Sequence, residues 1–235
     1  TPYTLAIDIV GDHAYVGDGI DLRVLDVTDP GAPRPITFVT PPSERPESSD
    51  LAWLAVSGNT AYLLDADQLH VVDIADPSRA RLVSSTPRQP GLSAGAVNPD
   101  GMRAQGEQLI LMLADRGMVI LAVSDPAKPA LAGRVAEVTH EDGSTSLSGG
   151  AVDVYRATAF AAALSPVLGS QLWHLVALQL TDPEHPEQLA LVPLQGDQMS
   201  PLWKIELSES GARAYIVAGA ARLALYDVSA PANPV

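Results

Sequence analysis

Residues 69–80, Leu69-His70-Val71-Val72-Asp73-Ile74-Ala75-Asp76-Pro77-Ser78-Arg79-Ala80, form a short apolar run that stops at Asp-Pro. Its aliphatic and β-branched side chains read as a strand, and the aspartate and proline read as its end. An aspartate carboxylate can accept the backbone N–H two residues on, while proline fixes φ and keeps the preceding residue extended. The same signal recurs at Asp29-Pro30-Gly31-Ala32-Pro33, Asp125-Pro126-Ala127-Lys128-Pro129, Asp182-Pro183-Glu184-His185-Pro186 and Ala230-Pro231-Ala232-Asn233-Pro234. The first prolines, Pro30, Pro77, Pro126, Pro183 and Pro231, stand 47, 49, 57 and 48 residues apart. Ahead of each lies an apolar strand, Leu22–Val27, Leu69–Ile74, Met118–Val123, Leu175–Leu180 and Leu223–Val228. Further upstream another strand recurs as Ala14-Tyr15-Val16, Ala61-Tyr62-Leu63, Leu109-Ile110-Leu111, Ala159-Phe160-Ala161 and Ala214-Tyr215-Ile216. Five copies in one order are an internal repeat.

Each copy reads as four short strands. The first strand (Ile7 to Val10) ends at Gly11-Asp12, matched by Gly58-Asn59, both hairpin dipeptides. The fourth follows the Asp-Pro turn, as in Ile36-Thr37-Phe38-Val39. No capped run with a 3.6-residue period occurs, so helix content is expected to be low. A four-stranded unit that recurs every 45 to 50 residues or so is the mark of a propeller blade, which buries its faces only against other blades. The expected fold is all-β: one domain over residues 1–235, a β-propeller of five blades near 5–40, 51–88, 102–137, 150–194 and 202–235. The fifth blade lacks its outer strand, because the sequence ends at Ala230–Val235 where that strand would start, and only Thr1–Thr4 precede the first blade. The edge carrying Leu223, Leu225 and Asp227 is therefore expected to take a strand from another polypeptide, to drive association, or to continue into a larger propeller.

The Gly turn, the Ala-Tyr-Val strand, the run Leu-x-Val-Val-Asp-Val and the Asp-Pro-x-x-Pro turn together resemble the LVIVD repeat. Leu22–Val27 and Leu69–Ile74 carry the clearest matches, and the strand aspartate is replaced by Ala122 and Gln179 in the third and fourth copies. The resemblance covers nearly the whole chain. It implies a propeller in a bacterial or archaeal protein that is exported or on the cell surface, and it implies no catalytic residue.

Composition removes several function classes. The 235 residues carry 14 Lys and Arg against 28 Asp and Glu, a net charge of −14 that argues against binding to nucleic-acid phosphates. Cysteine is absent, which excludes disulfides, thiolate nucleophiles and thiolate metal sites. Apolar stretches such as Leu109 to Ala114 are too short to span a bilayer, and no charged and apolar leader opens the sequence.

Antiparallel order places the turns after the first and third strands on one rim, and the other connections on the opposite one. Length varies only on that second rim, in Pro41–Asp50, Gln89–Gly101, Val138–Gly149 and Gln195–Pro201, joined by Gly17–Asp21, Asp65–Asp67 and Ser165–Ser170. Variable loops on a fixed scaffold are where binding residues collect, so partners are expected there. Carboxylates are dense on this rim: Asp18, Asp21, Glu44, Glu47, Asp50, Asp65, Asp67, Asp115, Glu141 and Asp142. Calcium takes six to eight oxygens, and the pairs Asp18 with Asp21 and Asp65 with Asp67 are its candidate ligands, although neither fits a twelve-residue calcium loop. A solvated acidic edge explains the same residues.

Alignment of the first strands on the tyrosine strand puts Asp8, Ala55, Arg103, Asp153 and Glu206 in one column, with Lys204 two residues before the last. Asp8, Arg103, Asp153, Lys204 and Glu206 are thus candidate channel-lining binding residues; facing carboxylates can shift one another's pKa, and mutual ion pairing is the plainer role. Gly91-Leu92-Ser93-Ala94-Gly95 matches the nucleophile-elbow pattern but lacks the helix that motif needs. The five histidines show no metal-ligand spacing, and Trp53, Trp173 and Trp203 share no column, serving as packing or as sugar-stacking platforms. The sequence is thus read as a non-enzymatic interaction or structural module of the cell envelope, periplasmic, extracellular or surface-bound. It binds protein partners rather than nucleic acid and has no cofactor unless calcium. The alternative is a calcium-dependent propeller hydrolase of lactonase type that uses the axial carboxylates.

Overall fold

The computed structural model describes residues 4–19, 21–42, 53–65, 68–87, 97–113, 117–140, 143–167, 170–194, 202–218 and 222–235. They form a β-propeller of five blades. Blade one holds β1 (Thr4–Val10), β2 (His13–Asp18), β3 (Asp21–Asp26) and β4 (Arg34–Val39); blade two holds β5 (Trp53–Ser57), β6 (Thr60–Leu64), β7 (Gln68–Asp73) and β8 (Arg81–Pro87). Blade three holds β9 (Val97–Gln105), β10 (Gln108–Leu113), β11 (Gly117–Ala122) and β12 (Ala130–Val135), followed by a hairpin of β13 (Glu137–His140) and β14 (Gly143–Ser146). Blade four holds β15 (Ser148–Tyr155), β16 (Thr158–Val167), β17 (Ser170–Gln179) and β18 (Glu187–Pro193), and blade five holds β19 (Leu202–Leu207), β20 (Arg213–Ala218) and β21 (Arg222–Asp227). Strands follow chain order within every sheet, and the only helical turn among the described residues is the 3-10 turn Pro77–Arg79.

The chain packs as two compact units. Thr1–Ser93, Ala104–Gln108 and Ala122–Ala130 make the first, and Ala94–Arg103, Leu109–Leu121 and Leu131–Val235 make the second. In the first unit Tyr15, Leu22 and Val24 of blade one bury against Leu54, Val56, Ala61, Leu63, Val72 and Ile74 of blade two. In the second, the period of two along β16 divides its side chains between two interfaces. Ala159 and Ala161 pack with Ile110, Met112, Met118 and Ile120 of blade three, while Phe160 packs with Ile205, Ala214, Ile216 and Val228 of blade five.

The repeated turns are built alike. Asp29, Asp76, Asp125 and Asp182 each accept the N–H two residues on, from Gly31, Ser78, Ala127 and Glu184, all at 3.0 Å. A second bond, from the N–H three residues on to the carbonyl of that same turn position, is present in all five copies, including Asn233 N to Ala230 O at 2.8 Å where no aspartate stands. The aspartate that ends the third strand is a cap of the same kind: Asp26, Asp73 and Asp227 accept from the N–H groups of Thr28, Ala75 and Ser229. In every blade the residue just beyond the third strand also donates to the turn between the first two strands. These bonds are Val27 to Asp12, Ile74 to Asn59, Val123 to Glu107, Leu180 to Ala157 and Val228 to Ala212, at 2.7–2.9 Å.

The outer strands meet the next blade's turn. Pairing of the third and fourth strands slips by one residue at the same place in three blades, after Val24↔Thr37, Val71↔Ser84 and Ala177↔Ala190. Ser84 at this position donates its hydroxyl to the carbonyl of Pro126 at 2.7 Å, in the Asp-Pro turn of blade three. Gly133 of β12 approaches Pro183 of blade four so closely that a Cβ there would fall 1.7 Å from the proline oxygen. Small side chains on this strand thus let the neighbouring turn dock.

Parts of three expected loops prove to be strand. Residues 97–101 belong to β9; 165–167 and Ser170 form the pairs Ser165↔Leu172, Pro166↔Gln171 and Val167↔Ser170; and 137–140 pairs with 143–146 as the inserted hairpin. Val138 and Leu147 are buried beneath that hairpin, and the Gln188 side-chain amide on β18 pairs both ways with the Thr139 backbone, at 2.8 and 2.9 Å. The edge of blade five also differs from expectation at one residue. Asp227 exchanges two backbone bonds with Val235, at 2.7 and 3.0 Å, because the turn at Ala230–Asn233 sends the chain back antiparallel. Leu223 and Leu225 of that edge stay exposed, at 66% and 56%.

Two outcomes follow from these contacts. Gly133→Ala is expected to lower stability by about 1–3 kcal/mol, because its methyl meets backbone rather than a movable side chain. A denaturant midpoint equal to wild type would mean that β12 does not press on the Pro183 turn. The second outcome concerns acid. Asp26, Asp76 and Asp227 are held below the ordinary carboxylate pKa first by the hydroxyls of Thr28, Ser78 and Ser229 and then by the N–H groups of the same residues. Asp182 is lowered first by the ring of His185. Depressed carboxylates contribute stability above their unfolded pKa, near about 3.9, and lose it as the pH falls through their folded values. Melting temperature should therefore decline from about pH 5 downward, and less steeply when all four are changed to Asn, which keeps the acceptor oxygen without the ionisation. Equal slopes in the two proteins would contradict the assignment.

Candidate functional site

The first strand is the edge of its sheet, so one row of its N–H groups has no ladder partner. Cross-strand register pairs Asp8 with Tyr15, Ala55 with Tyr62, Asp153 with Phe160 and Glu206 with Tyr215, which makes these four positions equivalent. Asp8 accepts from Ile9 N at 2.9 Å with one oxygen and from Val56 N of the next blade at 2.8 Å with the other. Asp153 repeats this on Val154 N at 2.8 Å and Leu207 N at 2.7 Å. Each carboxylate thus supplies the acceptor that the neighbouring edge strand lacks, through charge-assisted bonds.

In the second unit the column residues gather. Arg103 Nε lies 3.2 Å from Asp153 Oδ1, its other nitrogens reach Met102 O at 2.9 Å and Glu206 Oε2 at 3.9 Å, and Lys204 Nζ sits 3.2 Å from Glu206 Oε2. Two cations face two carboxylates, so the charges compensate locally. Lys204 and Glu206 are about half exposed, where an ion pair contributes little, about 0–1 kcal/mol. Such a cluster orders the first strands and leaves little net field to draw a charged ligand. Asp8 belongs to the first unit and performs its stitching there.

The rim carboxylates are engaged one by one. Asp18 pairs with Arg23 Nε; Asp21 accepts from Thr40 Oγ1 at 2.6 Å, with the same arginine at 4.0 Å. Asp65 turns inward, only 2% exposed, and its oxygens take Gln68 N at 2.5 Å and His70 Nε2 at 3.0 Å. Asp67 lies outside the described residues, as do Glu44, Glu47, Asp50, Asp115, Glu141, Asp142 and the Gly91–Gly95 motif. Among the described residues no three His, Asp or Glu side chains are placed to hold one metal ion.

Two clusters escaped the sequence reading. His70 Nδ1 lies 2.9 Å from Ser85 Oγ, so Asp65, His70 and Ser85 form a chain in the order seen in serine hydrolases. With Nε2–H donated to Asp65, Nδ1 accepts the serine proton. His70 is 1% exposed and Asp65 2%, while Ser85 is half-buried, and the network braces the β6–β7 hairpin against β8. The contact follows from strand register, since His70 stands opposite Ser85 across β7 and β8. In the second unit His140 of the inserted hairpin and buried His174 of β17 meet edge to face, with ring centroids 5.4 Å apart. Trp53 and Trp173 are half-buried on blades two and four, and the side chain of Trp203 lies outside the description.

Solved structures share this architecture. The chain matches a protein from Lactobacillus plantarum over 100% of its own length and 69% of the other's, at 14% identity and a TM-score of 0.68. A functionally unknown protein from Desulfotomaculum acetoxidans matches over 95% and 65%, at 13% identity and a TM-score of 0.63. The β-propeller domain of Cps50 (Swd1) from Myceliophteria thermophila matches over 99% and 68%, at 12% identity and a TM-score of 0.61. The chain thus spans about two thirds of each, and at these identities the likeness concerns fold alone. Among curated proteins none matches this sequence. The LVIVD repeat model matches residues 3–37, 51–86, 112–137 and 206–235, more than half of the chain, and passes over the copy whose strand aspartate is Gln179. With the strand aspartates serving as turn caps in three of the four matched blades, the chain belongs to the LVIVD repeat family.

Proposed function

We propose that the chain is a non-enzymatic protein-interaction module of the cell envelope, periplasmic or exposed at the surface, which binds through the rim opposite the Asp-Pro turns. The observation that carries this reading is the inserted hairpin of blade three. Its base is fixed by buried Val138 and Leu147 and by the Gln188 amide, while Glu137, Thr139, Gly143 and Ser146 stay exposed. A fixed base under exposed polar positions holds contact groups in place at little entropic cost on binding. The clusters that resemble catalytic sites favour the same conclusion: the column charges neutralise one another, and in the Asp65–His70–Ser85 chain the carboxylate and imidazole are buried in the fold as braces between strands. An acidic, cysteine-free chain suits an oxidising compartment, where it offers no thiol to stray exchange. The exposed Leu223 and Leu225 edge offers a second surface for assembly.

Because the chain has no cysteine, a single introduced thiol is unique. Ser146→Cys and Thr28→Cys, each carrying a photo-crosslinker, would be compared on cells or membranes that present the protein. Protein adducts from the hairpin position and not from the turn position are the expected result. Adducts from Thr28→Cys alone, or calcium-dependent lactone hydrolysis by the purified protein, would overturn the reading.

A further inference from the structure

Between the turns of blades four and five, inside the second unit, lies a cavity of about 360 Å³ whose walls include Tyr155, Arg156, Phe160, Ser210, Gly211 and Ser229. The backbone at its mouth is unusual. The turn between the first two strands holds a left-handed residue in each blade: Gly11 at φ 58°, Gly58 at 56°, Gly106 at 56°, Arg156 at 54° and Gly211 at 68°. Four repeats use glycine, which bears no Cβ penalty there, and blade four uses arginine, the one non-glycine residue with positive φ among the described residues. The compensation visible in the fold is the guanidinium over the Tyr155 ring, 5.2 Å from its centroid. An exposed cation–π contact is worth less than a left-handed non-glycine residue costs, so the fold alone does not explain the arginine. Backbone strain kept without a structural gain marks sites of function.

The walls suit a particular ligand. A Cβ on Gly211 would fall 2.1–2.5 Å from three atoms of the Tyr155 ring, so the ring lies flat against a bare backbone. Phe160 and Val228 are buried and give the cavity an apolar floor. The lining hydroxyls are partly spent, Ser229 on Asp227 at 2.5 Å and Ser210 toward Ser208 at 3.2 Å. Arg156 is the one cation in the lining. The Asp227 carboxylate beside Ser229, in a chain of net charge −14, opposes a second negative charge. The volume stands at the small end of ligand sites, room for roughly a six-membered ring and its substituent.

We propose that this cavity binds a small ring-bearing monocarboxylate, with Arg156 as the fork that receives the carboxylate and the Tyr155 and Phe160 side as the wall for the ring. The site stands on the Asp-Pro rim and is independent of the partner surface above. An aromatic acid and a sugar acid share this chemistry, so benzoate and glucuronate serve as the two probes. Each is titrated into isotope-labelled protein while the amides of Arg156, Gly211 and Ser229 and the Arg156 Nε–H are followed by NMR. At least one acid should give saturable shifts at these groups, and whichever binds identifies the source. Arg156→Gly should weaken that binding about tenfold or more while melting at or above the wild-type temperature, since glycine is the residue of the other four turns. Arg156→Asn, which tolerates the left-handed region, should lose binding in the same way and guards against a folding defect in the first variant. The proposal fails if neither acid saturates the wild-type protein, if either variant binds as tightly as wild type, or if both variants melt well below it.

Discussion

One backbone hydrogen bond recurs in all five blades and sets the rest in place: the N–H just beyond the third strand donates to the carbonyl in the turn joining the first two. It stops the ladder at a defined residue and ties two turns that would otherwise be separate surface loops. From that point the chain has five residues or so in which to reverse, and Asp-Pro performs the reversal by capping an N–H and restricting φ. The reversed chain then directs a proline carbonyl at the outer strand of the neighbouring blade, where Ser84 donates to it and Gly133 yields space for it.

This order of dependence explains which repeat residues vary. The strand aspartate is replaced by Ala122 and Gln179, and the turn aspartate by Ala230, yet the backbone bonds at Val123, Leu180 and Asn233 persist. Gln179 even substitutes with its amide, which donates to Ala157 O and Thr181 Oγ1. The aspartates reinforce a geometry that the backbone already holds. They are therefore poor guides to function. Arg156 departs from the rule in the opposite sense, since it replaces the residue the backbone prefers and gains only a ring contact.

Much of this was legible in the sequence because it repeats. Five aligned strands and turns gave the blade count, and alignment on Tyr15, Tyr62 and Tyr215 placed Asp8, Ala55 and Glu206 opposite them, as register later found. What could not be read depends on a single blade. Asp65, His70 and Ser85 stand together in blade two alone, and they converge only once β7 and β8 pair with His70 opposite Ser85, a register that local pattern does not specify. The inserted hairpin has few alternating apolar residues and is held by Gln188, some fifty positions away in sequence, so its segment reads as loop. Asp227 looked like open edge because its partner is the single residue Val235, reached through a turn and marked by no strand pattern.

Native-state hydrogen exchange reads the recurring bond directly. If it is the constraint on which each blade depends, the amides of Val27, Ile74, Val123, Leu180 and Val228 exchange as slowly as those in the middle of the second strands, through opening of the whole blade. Exchange of these five at the rate of exposed loop amides, while the strand interiors stay protected, would show that the turns close over an already complete sheet and would contradict the account.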